Sequence, residues 1–88
     1  MTQMNDFKRQ LGRNLREARV AKGLRQSDLS SMVYTTTPAV SNWERGVRAP
    51  NVEMLASIVC VLGVSLDDVV PRVELEYKVD ENQMKLEV

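Results

Sequence analysis

Histidine is absent from this chain, and cysteine occurs once, at Cys60. Without an imidazole, the chain has no side chain that titrates near neutrality by default, and it lacks the commonest metal ligand. A single thiol forms no internal disulfide, which points to a reducing compartment, the cytoplasm. There is no glycine-rich phosphate loop and no HExxH pair. Cys60 lies in an apolar stretch with no base beside it in sequence, so it reads as packing or as a subunit contact rather than a nucleophile. No enzyme chemistry, cofactor, metal or small-molecule ligand is expected. Long apolar runs are also missing. The most hydrophobic window, Met54 to Leu66, is broken by Ser57, Gly63 and Ser65 and falls short of the ~20 residues that span a bilayer. The opening residues, Met1 to Asp6, lack the apolar stretch of a secretion signal. Aromatic residues make up only 5% of the 88 positions against 43% hydrophobic residues overall, so one compact domain with an aliphatic core is expected.

A formal net charge of zero conceals an uneven distribution. Residues 1–50 carry nine basic and four acidic side chains, a net +5, and residues 51–88 carry three basic and eight acidic, a net −5. A basic half can face phosphate while an acidic half turns away. On charge alone, that arrangement and an ordinary solvated surface are equally consistent.

The apolar spacing is helical through most of the chain. Phe7, Leu11, Leu15 and Ala18 fall on one face of a first helix, which Asn5 or Asp6 can cap and Gly23 ends. A shorter second helix runs from Gln26 to Val33, with Leu29, Met32 and Val33 as its apolar side. Thr36 can cap a third, running to about Arg45 with Val40 and Trp43 inward; Pro38 is tolerated in its first turn. Asn51 caps a fourth carrying Val52, Leu55, Ile58, Val59 and Leu62, ended by Gly63. Ser65-Leu66-Asp67-Asp68 resembles a capping box for a fifth, which Pro71 stops, and Asp67-Asp68 is a helix start before it is a metal site.

From Val73 the period changes to two. Val73, Leu75, Tyr77 and Val79 alternate with charged residues, as do Met84, Leu86 and Val88 after a polar turn, which reads as a β-hairpin. The expected class is therefore all-α, with five helices over residues 1–71 and a short C-terminal β extension over 72–88. An isolated hairpin is marginal in water and must pack on something. It either folds back on its own domain or pairs the strand Val73–Val79 with its copy about Glu76, setting Lys78 against Glu74 of the mate.

These helices resemble the lambda-repressor-like, or Xre-type, helix-turn-helix family. The match is carried by Leu15-Arg16-Glu17-Ala18-Arg19 with Lys22-Gly23-Leu24, by Gln26 to Leu29, by Val40-Ser41-Asn42-Trp43-Glu44-Arg45-Gly46, by Ala49-Pro50-Asn51, and by Leu62-Gly63-Val64-Ser65-Leu66-Asp67-Asp68. The resemblance implies a transcriptional regulator, a repressor, that binds an inverted-repeat operator in double-stranded DNA as a homodimer. Its third helix would enter the major groove. By position, Thr37, Pro38, Ser41 and Asn42 would face the bases, Asn42 suiting adenine and Pro38 a thymine methyl. Arg25, Gln26, Thr36, Arg45 and Arg48 would lie by phosphates. Thr36 also reads as a cap, Gln26 as a brace for the recognition helix, and Arg45 equally as plain surface. Arg19 and Glu44 match a structural salt bridge. Relatives dimerise through the region of Val64, Leu66 and Val69, to which Val73, Leu75 and Tyr77 would add.

Three departures from the family pattern stand out. Arg25 replaces a capping Thr or Ser; Ser30 replaces an alanine packed on the third helix; and Tyr34 replaces the turn glycine, so that a rebuilt turn is expected there. The rival to a DNA-binding regulator is a protein-interaction module on the same fold, such as a transcriptional adaptor or the antitoxin of a toxin–antitoxin pair.

Overall fold

The computed structural model describes residues 6–73. Its elements are five helices, α1 (Phe7–Ala21), α2 (Gln26–Met32), α3 (Thr37–Glu44), α4 (Val52–Leu62) and α5 (Leu66–Val69). Among the described residues no helix is long and apolar enough to cross a membrane. Of the hairpin expected from Val73 onward, only Val73 itself is described, half-buried; the rest, with Leu75 and Tyr77, lies outside the described residues.

Four of the helices end in the same way. After α1, α2, α3 and α4, a residue with positive φ lets the next backbone N–H return to a carbonyl five residues earlier: Leu24 to Arg19, Thr35 to Ser30, Val47 to Asn42 and Val64 to Val59, at 2.9–3.1 Å. This Schellman closure satisfies carbonyls that a helix end leaves open. Three of the positive-φ residues are glycine; the fourth is Tyr34, at φ 58°. The turn between α2 and α3 is thus not rebuilt around the tyrosine. The Tyr34 side chain stays 94% exposed, so it meets no steric obstacle beyond its own backbone, and the turn absorbs the strain of a left-handed residue with a Cβ.

Caps follow the sequence with one correction, at Asp6. Thr36 Oγ1 accepts from Ala39 N at 3.2 Å, Asn51 Oδ1 accepts from Met54 N at 2.8 Å, and Asp68 Oδ2 accepts from Ser65 N at 2.8 Å. Asp6 occupies the cap position of α1 without capping it, because its carboxylate takes the Arg9 guanidinium at 2.8 Å. At α2 a guanidinium has no acceptor to offer. There Asp28 supplies the reciprocal half of the box, accepting from Arg25 N at 2.8 Å.

Leu11 and Leu15 of α1 meet Leu29, Val33, Val40, Trp43, Ile58, Val59, Leu62 and Val69 in one aliphatic core, with Phe7 and Ala18 packed at its margin. Two side chains assigned inward by spacing point out instead: Met32 is 47% exposed and Val52 is 84% exposed. Cys60, read as packing or as a subunit contact, is exposed on α4, which excludes the packing role. Val69 errs the other way. Expected at a subunit contact, it is 1% exposed within its own domain and cannot offer surface to a partner. Asn14 Nδ2 donates to Val69 O at 2.8 Å and ties α5 to α1.

The position of α3 depends on Gly12. A Cβ there would collide with Trp43 O and come within 2.7 Å of Glu44 O, so α1 and α3 cross at backbone contact. Gly46 repeats the constraint one turn away, where a Cβ would lie 2.7 Å from Arg9 Cα.

Two substitutions test this geometry by urea unfolding. Gly12→Ala is expected to lower stability by about 1–3 kcal/mol, the usual range for overpacking a tight contact. Tyr34→Gly is expected to raise it by about 1 kcal/mol by releasing the left-handed strain. An unchanged midpoint for Gly12→Ala would mean that the helices do not cross this closely.

Candidate nucleic-acid interface

The segment expected to read DNA is organised around one carboxylate. Glu44 stands in the last turn of α3, where the helix dipole disfavours negative charge, and its side chain is only 4% exposed. Donors from two other elements hold it. Arg19 of α1 binds both oxygens, Nε to Oε2 at 2.6 Å and Nη2 to Oε1 at 2.9 Å, and sends Nη1 to Leu24 O at 2.7 Å. Gln26 at the start of α2 donates Nε2 to Glu44 Oε1 at 3.0 Å. The bidentate bond to Glu44 raises the Arg19 pKa further above its ordinary value. The expected pair is present, and Gln26 joins it as the brace.

This network fixes α3 against α1 and α2 and leaves one side of α3 toward solvent. Thr36 and Pro38 are exposed; Thr37, Ser41 and Asn42 are half-buried; Arg45 and Arg48 are exposed. The base-facing and phosphate-facing candidates therefore lie together on α3 and the turn that follows it. Gln26 and Arg25 lie at the adjacent start of α2. Thr36 uses its oxygen on the helix cap and keeps its hydroxyl hydrogen for an outside acceptor.

Two bonds at this surface were not expected. Arg45 Nη2 donates to Asn42 Oδ1 at 2.6 Å, so Asn42 presents an oriented carboxamide and not a freely turning one. The three-residue spacing places both on one helix face, which is the signal that could have shown it. Ser30, 4% exposed, donates its hydroxyl to Ser27 O at 2.9 Å and lies 3.2 Å from Thr37 Oγ1. Thr37 is thus engaged from behind. Nothing in the local pattern announces that bond, because it joins two helices.

Arg25 pairs with Asp28 at 3.3 Å on the open surface. The Asp28 carboxyl is held below its ordinary range, first by the Arg25 backbone N–H and then by the guanidinium. A carboxyl with a lowered folded pKa stabilises the fold above its unfolded value and loses that contribution as pH falls through the folded one. The α2 start is therefore better supported near neutrality than in acid. The same bond raises the Arg25 pKa. Beyond α4, Leu66 is half exposed, Val64 is half-buried against the core and Val73 is half-buried, leaving these three, without Val69, as described candidates for a subunit contact.

Two helices joined by a tight turn, the second presenting short polar side chains beside exposed arginines, define a helix-turn-helix domain. A helix-turn-helix family model matches residues 15–69. The chain belongs to the Xre or lambda-repressor-like helix-turn-helix family. It is 34% identical over 61 residues to the HTH-type transcriptional activator BcrR of Enterococcus faecalis, covering 69% of this chain and 30% of that protein. It is 35% identical over 60 residues to the HTH-type transcriptional regulator DdrOP3 of Deinococcus deserti, covering 68% and 46%. The chain thus spans less than half the length of either. Among solved structures, the clp gene regulator ClgR of Corynebacterium glutamicum superposes with a TM-score of 0.69 at 33% identity, over 72% of this chain and 81% of that one. The DNA-binding domain of BldD superposes with a TM-score of 0.68 at 29% identity, over 81% and 100%.

The Glu44 cluster predicts a distinctive mutational pattern. Arg19→Met or Glu44→Leu alone is expected to cost about 3–5 kcal/mol, because each strands a buried charge. The double variant should recover much of that loss. Thermal unfolding of the three proteins reads it, and additive losses would show that the pair does not act as a unit.

Proposed function

We propose that this protein binds double-stranded DNA sequence-specifically as a homodimeric transcriptional regulator, with α3 in the major groove. The observation that carries this reading is the solvent-facing side of α3: half-buried Thr37, Ser41 and Asn42, on a helix clamped through Glu44, stand beside exposed Arg45 at its end and Arg48 in the turn that follows. Short polar side chains on a rigid helix suit base edges, and arginines around them suit phosphates. The relationship to proteins named as transcriptional regulators supports the same conclusion.

In this reading residues 1–71 are the DNA-binding domain, and Arg25, Gln26, Thr36, Arg45 and Arg48 meet the backbone. Two copies associate through Val64, Leu66 and the segment with Val73, Leu75 and Tyr77. An inverted-repeat operator then follows from two-fold symmetry, its half-sites about 34 Å apart. Repression by occupying a promoter is the proposed outcome, although one relative bears the name of an activator. The protein works in the cytoplasm and catalyses no reaction.

Selection from a random duplex pool is expected to return an inverted repeat. With three arginines per copy at phosphates, affinity should fall with salt along a logarithmic slope of about −5. A protein that ignores duplexes of every sequence at low salt, with its helices intact, would end this reading; salt-insensitive capture of a protein partner would favour an interaction module. Removing residues 73–88 should lower the dimer fraction in sedimentation, and an unchanged dimer would assign the contact to Val64 and Leu66 alone.

A further inference from the structure

Ser30 is nearly buried, at 4% exposure, and its single hydroxyl touches two oxygens. One is Ser27 O at 2.9 Å; the other is Thr37 Oγ1 at 3.2 Å. A carbonyl only accepts, so the first bond uses the one hydrogen that Ser30 has. Both bonds coexist in one arrangement: Thr37 donates its hydrogen to Ser30 Oγ. Turning either hydrogen elsewhere removes a bond from a hydroxyl that water scarcely reaches. With its hydrogen directed inward, Thr37 offers the outside only lone pairs.

We propose that Ser30 fixes the Thr37 hydroxyl as an acceptor, so that α3 selects a base with an amino group, adenine or cytosine, at the position Thr37 faces. This rests on the DNA-binding reading of α3 and adds the chemical class of one base in the operator. In the major groove only adenine N6 and cytosine N4 donate; guanine N7 and O6 and thymine O4 accept. An acceptor-only hydroxyl bonds the first pair and meets the second lone pair to lone pair. Thr37 stands in the first turn of α3, where a recognition helix approaches the bases. Ser30 itself touches no DNA in this scheme. It is a positioning residue acting through Thr37.

The test uses the full chain and duplexes drawn from the random-pool selection, with binding read by fluorescence anisotropy. Thr37→Val locates the position concerned, as the one whose base preference it erases. There the unaltered protein is expected to favour adenine or cytosine over guanine or thymine by about five- to tenfold. Ser30→Ala frees the Thr37 hydrogen and is expected to shrink that preference below about twofold while leaving the salt slope unchanged. Thr37→Ser, which keeps the hydroxyl, should retain the preference. A guanine or thymine preference at that position in the unaltered protein overturns the proposal without recourse to any variant. So does an undiminished preference in Ser30→Ala, or a Thr37→Val protein with every base preference intact. Failure of the unaltered protein to bind any duplex would instead end the DNA-binding reading, and this proposal with it.

Discussion

One buried carboxylate holds the arrangement together. Glu44 sits at the end of α3 that repels negative charge, under a surface from which solvent is nearly excluded. Isolated, it would be a liability of several kcal/mol. Arg19 and Gln26 turn it into a joint among three helices, since each donor comes from a different element. The third Arg19 bond, to Leu24 O, includes the loop between α1 and α2 in the same joint. Displacing α3 from α1 would expose two uncompensated charges, so the helix is locked in orientation as well as position.

Gly12 complements that lock. The polar network fixes direction, while the missing Cβ fixes distance, bringing α1 against the last carbonyls of α3. Directional bonds and close packing therefore act on the same end of α3. The opposite end is held differently, by the Thr36 cap and by the contact from Ser30 to Thr37. A helix of eight residues has little stability of its own. Anchored at both ends, it can present its outer side chains with the fixed geometry that reading a duplex demands.

Tyr34 shows what such a scaffold tolerates. The turn between α2 and α3 keeps its left-handed residue although a tyrosine stands there, because the Ser30 carbonyl still needs the Thr35 N–H and the helices on both sides are already placed. The sequence rule that glycine belongs at such a position is a statement about local cost, and here tertiary contacts outweigh it. The same holds for Arg25, which cannot cap α2 with its side chain and is compensated by Asp28.

Local chemistry determined the helices: apolar residues recurring at three and four, Thr36 and Asn51 before their helices, and Gly23, Gly46 and Gly63 after them are signals within a few residues of the structure they produce. The grouping of Thr37, Ser41, Asn42 and Arg45 followed from the same short range, since all lie on one helix. Whether Met32, Val52 and Val69 face in or out was beyond that range, because inwardness depends on which neighbour covers a face and not on periodicity alone. So were the roles of Gly12, Asn14 and Ser30, each of which meets its partner across 7 to 55 positions of chain. Spacing along the chain carries no information about such meetings, because the partner enters the environment only when the helices pack.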